Sequence, residues 1–201
     1  MRRIHALALM PFFALAACSS PAATSTSAAP ASSSAEASLP ASTGAASTAP
    51  AGNGEVLKGN GYTLTLPDGW KDATEAFQKL QSQVDTGGKD PKDTEDGFND
   101  NVSVIAQTSP EIAFDTLKDA LESQLQTAGS TNIEFKDNVQ LDGAKALQVW
   151  STTKGAEDGH TIQFMAFNDS KIFVITVSTN RSDAKAADLA AQVLSGWKWA
   201  A

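Results

Sequence analysis

One cysteine, two histidines and one tyrosine are the scarcest chemistry in this 201-residue chain. Cys18 has no second cysteine to join, so no intramolecular disulfide forms. With only His5 and His160 beside it, four-cysteine, two-cysteine/two-histidine and three-histidine metal sites are excluded by counting. Basic residues are also outnumbered, 15 Lys and Arg against 23 Asp and Glu, for a formal charge of -8. Binding to DNA or RNA rests on Lys and Arg neutralising phosphates and releasing counterions, so this balance argues against a nucleic-acid partner. No G-x-S-x-G nucleophile elbow, Walker loop or dinucleotide fingerprint occurs either. The reading is therefore of a protein that is not an enzyme and has no cofactor.

What is present begins at the N-terminus. Arg2 and Arg3 precede an apolar run from Ala6 to Leu15 that Pro11 interrupts. It is shorter than the roughly 20 residues a helix needs to cross a hydrocarbon core, so the layout is that of a signal peptide, residues 1–17. Leu15-Ala16-Ala17-Cys18 resembles the lipobox of bacterial lipoproteins, a Leu and two small residues before the cysteine. That resemblance implies cleavage between Ala17 and Cys18, a diacylglyceryl group on the Cys18 thiol, and Cys18 as the new N-terminus. Each buried methylene contributes about 0.8 kcal/mol, and two long chains hold a protein stably where one holds it reversibly. The expected location is the outer face of the cytoplasmic membrane, lipid-anchored and extracytoplasmic. His5 leaves with the signal.

Residues 18–54 follow the anchor as a tether. From Ser19 to Gly54 only Glu36, Leu39 and Asn53 depart from Ala, Ser, Thr, Pro and Gly. Alanine and proline offer too little apolar surface to offset the ordering entropy, and Pro21, Pro30, Pro40 and Pro50 interrupt any helix. As a flexible coil such a segment reaches on the order of 30 Å, and drawn out as polyproline II about 110 Å. Its Ser/Thr/Pro composition is of the kind that accepts O-linked sugars. With Arg2, Arg3 and Glu36 set aside, 13 of the basic and 22 of the acidic residues remain from Glu55 onward. Anionic headgroups repel a domain of that sign, so the anchor has to supply membrane attachment.

Residues 55–201 carry both hydrophobic periods. Gly61 to Pro67 alternates as a strand, and Pro67-Asp68-Gly69 turns into Trp70. Asp72 and Glu75 open a helix through Phe77, Leu80 and Val84 that is expected to end near Asp85. Gly87-Gly88 and the charged run to Asp100 read as an exposed loop, and Val102, Val104 and Ala106 as a second strand. Ser109-Pro110 predicts the start of a helix with the stripe Phe114, Leu117, Leu121, Leu125 and a stop at Gly129. Strand-like runs at 133–136, 145–153, 161–167 and 171–178 form an expected antiparallel meander, with turns at Glu157-Asp158-Gly159 and Asn168-Asp169-Ser170. Ile172 to Val177 is apolar on both faces and belongs at the centre. Ser182-Asp183 caps a last helix with the stripe Ala186, Ala190, Val193, Leu194, Trp197. The fold class is α+β, an antiparallel sheet with helices on both faces.

This order of elements, together with Gly61-Tyr-Thr-Leu-Thr-Leu-Pro-Asp-Gly-Trp70 and Asn101-Val-Ser-Val-Ile105, resembles the PsbP-like α/β/α sandwich. Within it, the chain is similar to the LpqN-type lipoproteins of actinobacterial envelopes, which carry a lipobox and a low-complexity tether. The resemblance implies an accessory or binding role. The metal and photosystem contacts of photosynthetic members match no residues in this sequence.

Three groups remain as candidate sites. His160 beside the 157–159 turn reads as a solvated hairpin residue, although a hydrolase would have to use it with a hydroxyl and a carboxylate. Asp90, Asp93, Glu95, Asp96, Asn99 and Asp100 offer oxygen ligands, but Lys92 and Thr94 stand where calcium-loop ligands belong, so a solvated acidic loop is expected and no metal. Trp150, Trp197 and Trp199 are the candidate lining of an apolar pocket for a lipid or glycan, with core packing as the simpler role. The leading expectation is a non-catalytic envelope lipoprotein whose partner is an envelope protein or a lipid. The alternative is a lipid or glycolipid carrier with a pocket between sheet and helices.

Overall fold

A computed structural model describes residues 52–93, 98–153 and 159–200. The signal, Cys18 and the tether through residue 51 lie outside the described residues, as do Glu95, Asp96, Glu157 and Asp158. Three strands, β1 (Val56–Gly59), β2 (Tyr62–Thr65) and β10 (Trp197–Trp199), form a small antiparallel sheet in the order β1-β2-β10. The large sheet has seven strands: β3 (Lys71–Asp72), β4 (Thr86–Lys89), β5 (Asn101–Thr108), β6 (Ser130–Leu141), β7 (Ala144–Thr153), β8 (His160–Asn168) and β9 (Lys171–Thr179). Their spatial order is β3-β4-β5-β9-β8-β7-β6, and every pairing is antiparallel. The helices are α1 (Thr74–Leu80), α2 (Phe114–Thr127) and α3 (Asp183–Ser195).

Register explains the layering. Val104, Ile175 and Phe164 are direct neighbours across β5, β9 and β8, and their face is buried with Leu64, Leu66 and Trp197 and with Ala186, Leu189 and Val193 of α3. One residue on, Ile105, Val174, Met165 and Leu147 align across four strands on the opposite face and are also buried. That face belongs to α2, which lies along β6 and buries Leu117, Leu121 and Leu125. The result is an α+β sandwich with β9 near the middle, as its two apolar faces require. Each fully buried Leu, Ile or Phe contributes about 1.5–3 kcal/mol relative to exposure. Among the described residues no helix is long and apolar enough to cross a membrane.

Four expectations are corrected. Gly87-Gly88 is not an exposed loop but part of β4, with Thr86, Gly87 and Gly88 all buried. The glycines serve close approach: a Cβ at Gly87 would stand 2.4 Å from the Phe77 ring, and one at Gly88 2.6 Å from Leu66 Cδ2. Helix α1 stops at Leu80 because Gln81 is extended, and Val84 is buried beyond the helix on a turn back to Gln81. Helix α2 starts at Phe114 rather than after Ser109, whose N–H is held by the Ser170 carbonyl, so the chain there still follows the sheet. Trp197 belongs to β10 and not to the stripe of α3, since Gly196 ends that helix where its carbonyl accepts the Thr65 N–H at 2.9 Å.

Candidate functional site

At the free edge of the large sheet a groove of about 560 Å³ opens between β6 and the first turns of α3. Alternation builds it. Trp150 on β7 is opposite Glu134 on β6 and Ile162 on β8, and His160 lies two residues from Ile162, on the same face. A register shift between Thr131 and Glu134 sets Asn132 at a φ of 50° at one end of the groove. Asp183, Ala184 and Ala187 of α3 make the second wall, and the two alanines keep it low.

Two pairs of opposite character flank the indole. On the β6 wall Lys136 is ion-paired with Glu134, and its Nζ stands 5.8 Å from the centre of the Trp150 ring. Across the floor, His160 Nε2 lies 3.1 Å from Asp183 Oδ1. The imidazole edge meets Trp150 with ring centres 5.7 Å apart. Asp183 also stands in the first turn of α3, where a carboxylate suits the helix dipole.

His160 is therefore not the solvated hairpin residue its position suggested. Its side chain is 20% exposed, while that of Asp183 is 89% exposed. A nucleophilic triad needs a hydroxyl on the imidazole, and the groove's hydroxyls are engaged otherwise. Ser151 Oγ is buried without a hydrogen bond, and Thr152 Oγ1 faces the Asn132 amide at 3.4 Å.

Of the three tryptophans, Trp150 lines this groove and the other two pack elsewhere. Trp197 is 1% exposed, stacked on Tyr62 with ring centres 4.1 Å apart and edge-on to Phe173 and Trp199. Trp199 donates its indole N–H to the Leu141 carbonyl at 3.0 Å. Burial pushes the Tyr62 hydroxyl well above the ordinary phenol range, and it shares a 2.7 Å hydrogen bond with Thr86.

The acidic run is more ordered than a solvated loop. Asp100 is fully buried and ion-paired with Arg181, and its N–H is accepted by Asp93 Oδ2. Burial raises the Asp100 carboxyl, against the Thr179 hydroxyl and the Arg181 guanidinium, which hold it down. Among the described residues no cluster of His, Cys, Asp or Glu is arranged to hold a metal ion. Reasoning from sequence missed Glu134, Lys136 and Asp183 as groove residues. The alternation of Glu134 and Lys136 was visible, but only the pairing register shows that they face Trp150.

No family model matches the chain, and no curated protein matches it. Solved structures do. Cyanobacterial PsbP from Synechocystis is 18% identical with a TM-score of 0.50, over 73% of this chain and 92% of its own. LpqN, involved in cell envelope biogenesis of Mycobacterium tuberculosis, is 13% identical with a TM-score of 0.50, over 71% of this chain and 88% of its own. The Ran-binding protein Mog1p of Saccharomyces cerevisiae is 12% identical with a TM-score of 0.51, over 74% of this chain and 96% of its own. At such identities the likeness is one of architecture, and it gives this chain the PsbP-like fold.

Proposed function

We propose that the chain is a lipid-anchored cell-envelope protein whose PsbP-like domain is a non-catalytic binding module, with the Trp150 groove as its ligand-facing surface. The observation that carries the binding reading is the groove itself: a half-buried indole between two pairs of charged and polar groups, with its histidine tied to a carboxylate and not to a hydroxyl. The lipobox-like Leu15-Ala16-Ala17-Cys18 supports the anchor. LpqN, a protein of envelope biogenesis with this architecture, supports the location. Interior carriage of a lipid is disfavoured, because Phe164, Ile175, Val177, Leu189, Val193 and Trp197 fill the space between the large sheet and α3.

The test uses the full chain in its own envelope. The wild type should incorporate fed radiolabelled palmitate and sediment with membranes, and Cys18→Ser should do neither as a processed protein. Released in detergent and weighed by native mass spectrometry, the wild type should carry a bound molecule or partner that Trp150→Ala loses. An unlabelled, soluble wild type overturns the anchor. A turnover activity abolished by His160→Ala overturns the non-catalytic reading.

A further inference from the structure

The groove already contains a cation. Lys136 belongs to the chain, yet its ammonium stands as a bound ligand's would, over the Trp150 ring with the Glu134 carboxylate beside it. It is not locked there: the Lys136 side chain is 40% exposed, so it can swing into water without losing a buried position. The facing wall holds a second carboxylate, Asp183, which is 89% exposed and turns one oxygen to His160. Around the groove, the domain from Glu55 onward carries 22 acidic against 13 basic residues, a field that draws positive charge.

Resting on the reading of this groove as the ligand-facing surface, we infer that it receives an arginine side chain of a partner protein, for which Lys136 is the intramolecular stand-in. A guanidinium lies flat on an indole and offers donors in a planar fork, so it can stack on Trp150 while reaching carboxylates at its rim, which a point-like ammonium does less well. The low wall at Ala184 and Ala187 leaves room for it to enter. Arrival of the guanidinium displaces Lys136, which keeps the Glu134–Trp150 wall charge-satisfied when no partner is bound.

The test follows the Trp150 indole resonance of the full-length protein in detergent, with isotope-labelled tryptophan and assignment by Trp150→Phe. The probe is the blocked peptide acetyl-Gly-Arg-Gly-amide, compared with its citrulline and glutamate counterparts. The arginine peptide should shift the resonance saturably, more weakly at higher salt, and the other two should not. Lys136→Ala should tighten binding roughly twofold to fivefold by removing the resident cation. Glu134→Gln/Asp183→Asn, two exposed positions that leave the fold intact, should weaken it about fivefold to tenfold. Equal binding of the citrulline peptide overturns the inference, as does a Lys136→Ala variant that binds no better than wild type. If the arginine peptide fails while native mass spectrometry still shows a Trp150-dependent adduct, the binding module stands and the arginine falls. Failure of both removes both.

Discussion

Asp100 is fully buried while its partner Arg181 is 37% exposed, and this asymmetry decides what each substitution does. Removing the arginine strands a carboxylate in the protein interior, whereas removing the carboxylate leaves a guanidinium that can turn to water and to Asp90. Arg181→Ala should therefore cost about 3 kcal/mol in urea-melt stability, and Asp100→Asn much less. The double variant should recover most of the loss. A double variant as unstable as Arg181→Ala alone would show that packing, not stranded charge, is at stake. Tyr62 offers a second measurement of a buried polar pair. Tyr62→Phe keeps the stack on Trp197 but leaves the Thr86 hydroxyl, 4% exposed, without its partner, for an expected loss of about 1–2 kcal/mol in the same melt. Residues like these are illegible in sequence. Nothing in Asp100's neighbours says that it faces inward while Asp90 does not, because only the pairing of β5 with β9 brings Thr179 and Arg181 near it.

Elements were legible where period and turn chemistry agree. The meander from β7 to β9 follows the alternation of its residues, and the turn at Asp169 and Ser170 has the positive φ angles expected of it, 48° and 56°. The elements that escaped are short or glycine-bearing. Strand β1 spans four residues and β10 three, too few for a period to show, and β4 has two glycines whose use is close packing. Strand β10 survives because other elements hold it. Asp142 and Gly143, at φ 46° and 89°, turn β6 into β7 and aim the Asp142 carboxylate at the C-terminal strand. One oxygen pairs with Lys198 at 2.6 Å and the other accepts the Trp199 N–H at 3.0 Å. Lys198, then the Trp199 N–H, hold the Asp142 carboxyl below its ordinary value of 3.8. A lowered carboxylate stabilises the folded state fully above that ordinary value, and its contribution is lost as the pH falls through the folded one. Asp142→Asn should thus cost about 1 kcal/mol at neutral pH, a figure that allows for solvent screening, and should narrow its gap from wild type as the pH drops below 3.8. Hydrogen exchange at Trp199 should rise in the variant, and an unchanged rate there would mean that β10 is held by its pairing with β2 alone.

At the scale of the whole chain, composition separates the tether from the domain more sharply than any structural feature does, yet the boundary comes from hydrogen bonds. The groove shows the same division: Trp150 and His160 stood out by rarity, but Asp183 lies 23 residues beyond His160 and reaches it only through the register of β8 and β9 and the return of α3. At the domain's edge, the Gly54 N–H is accepted by the Leu66 carbonyl at 3.1 Å, and the Glu55 carbonyl accepts the Leu66 N–H at 2.9 Å. Gly52 lies so close that a Cβ on it would stand 2.3 Å from the Leu66 oxygen. The ordered domain thus begins at or before Gly52, a few residues earlier than the change in composition at Glu55. Limited proteolysis of the full chain should remove the Ala/Ser/Thr/Pro segment and stop short of Gly52, because a protease needs an extended, unpaired backbone that residues 52–55 do not offer. The trimmed domain should melt at the temperature of the full chain, since the tether has too little apolar surface to contribute to the core. Gly52→Ala should move the cut inward toward β1 by pushing the strap off Leu66. A cut between Gly54 and Val56 in the wild type would show that these bonds do not hold the strap, and a trimmed domain that melts earlier would give the tether a share in the fold.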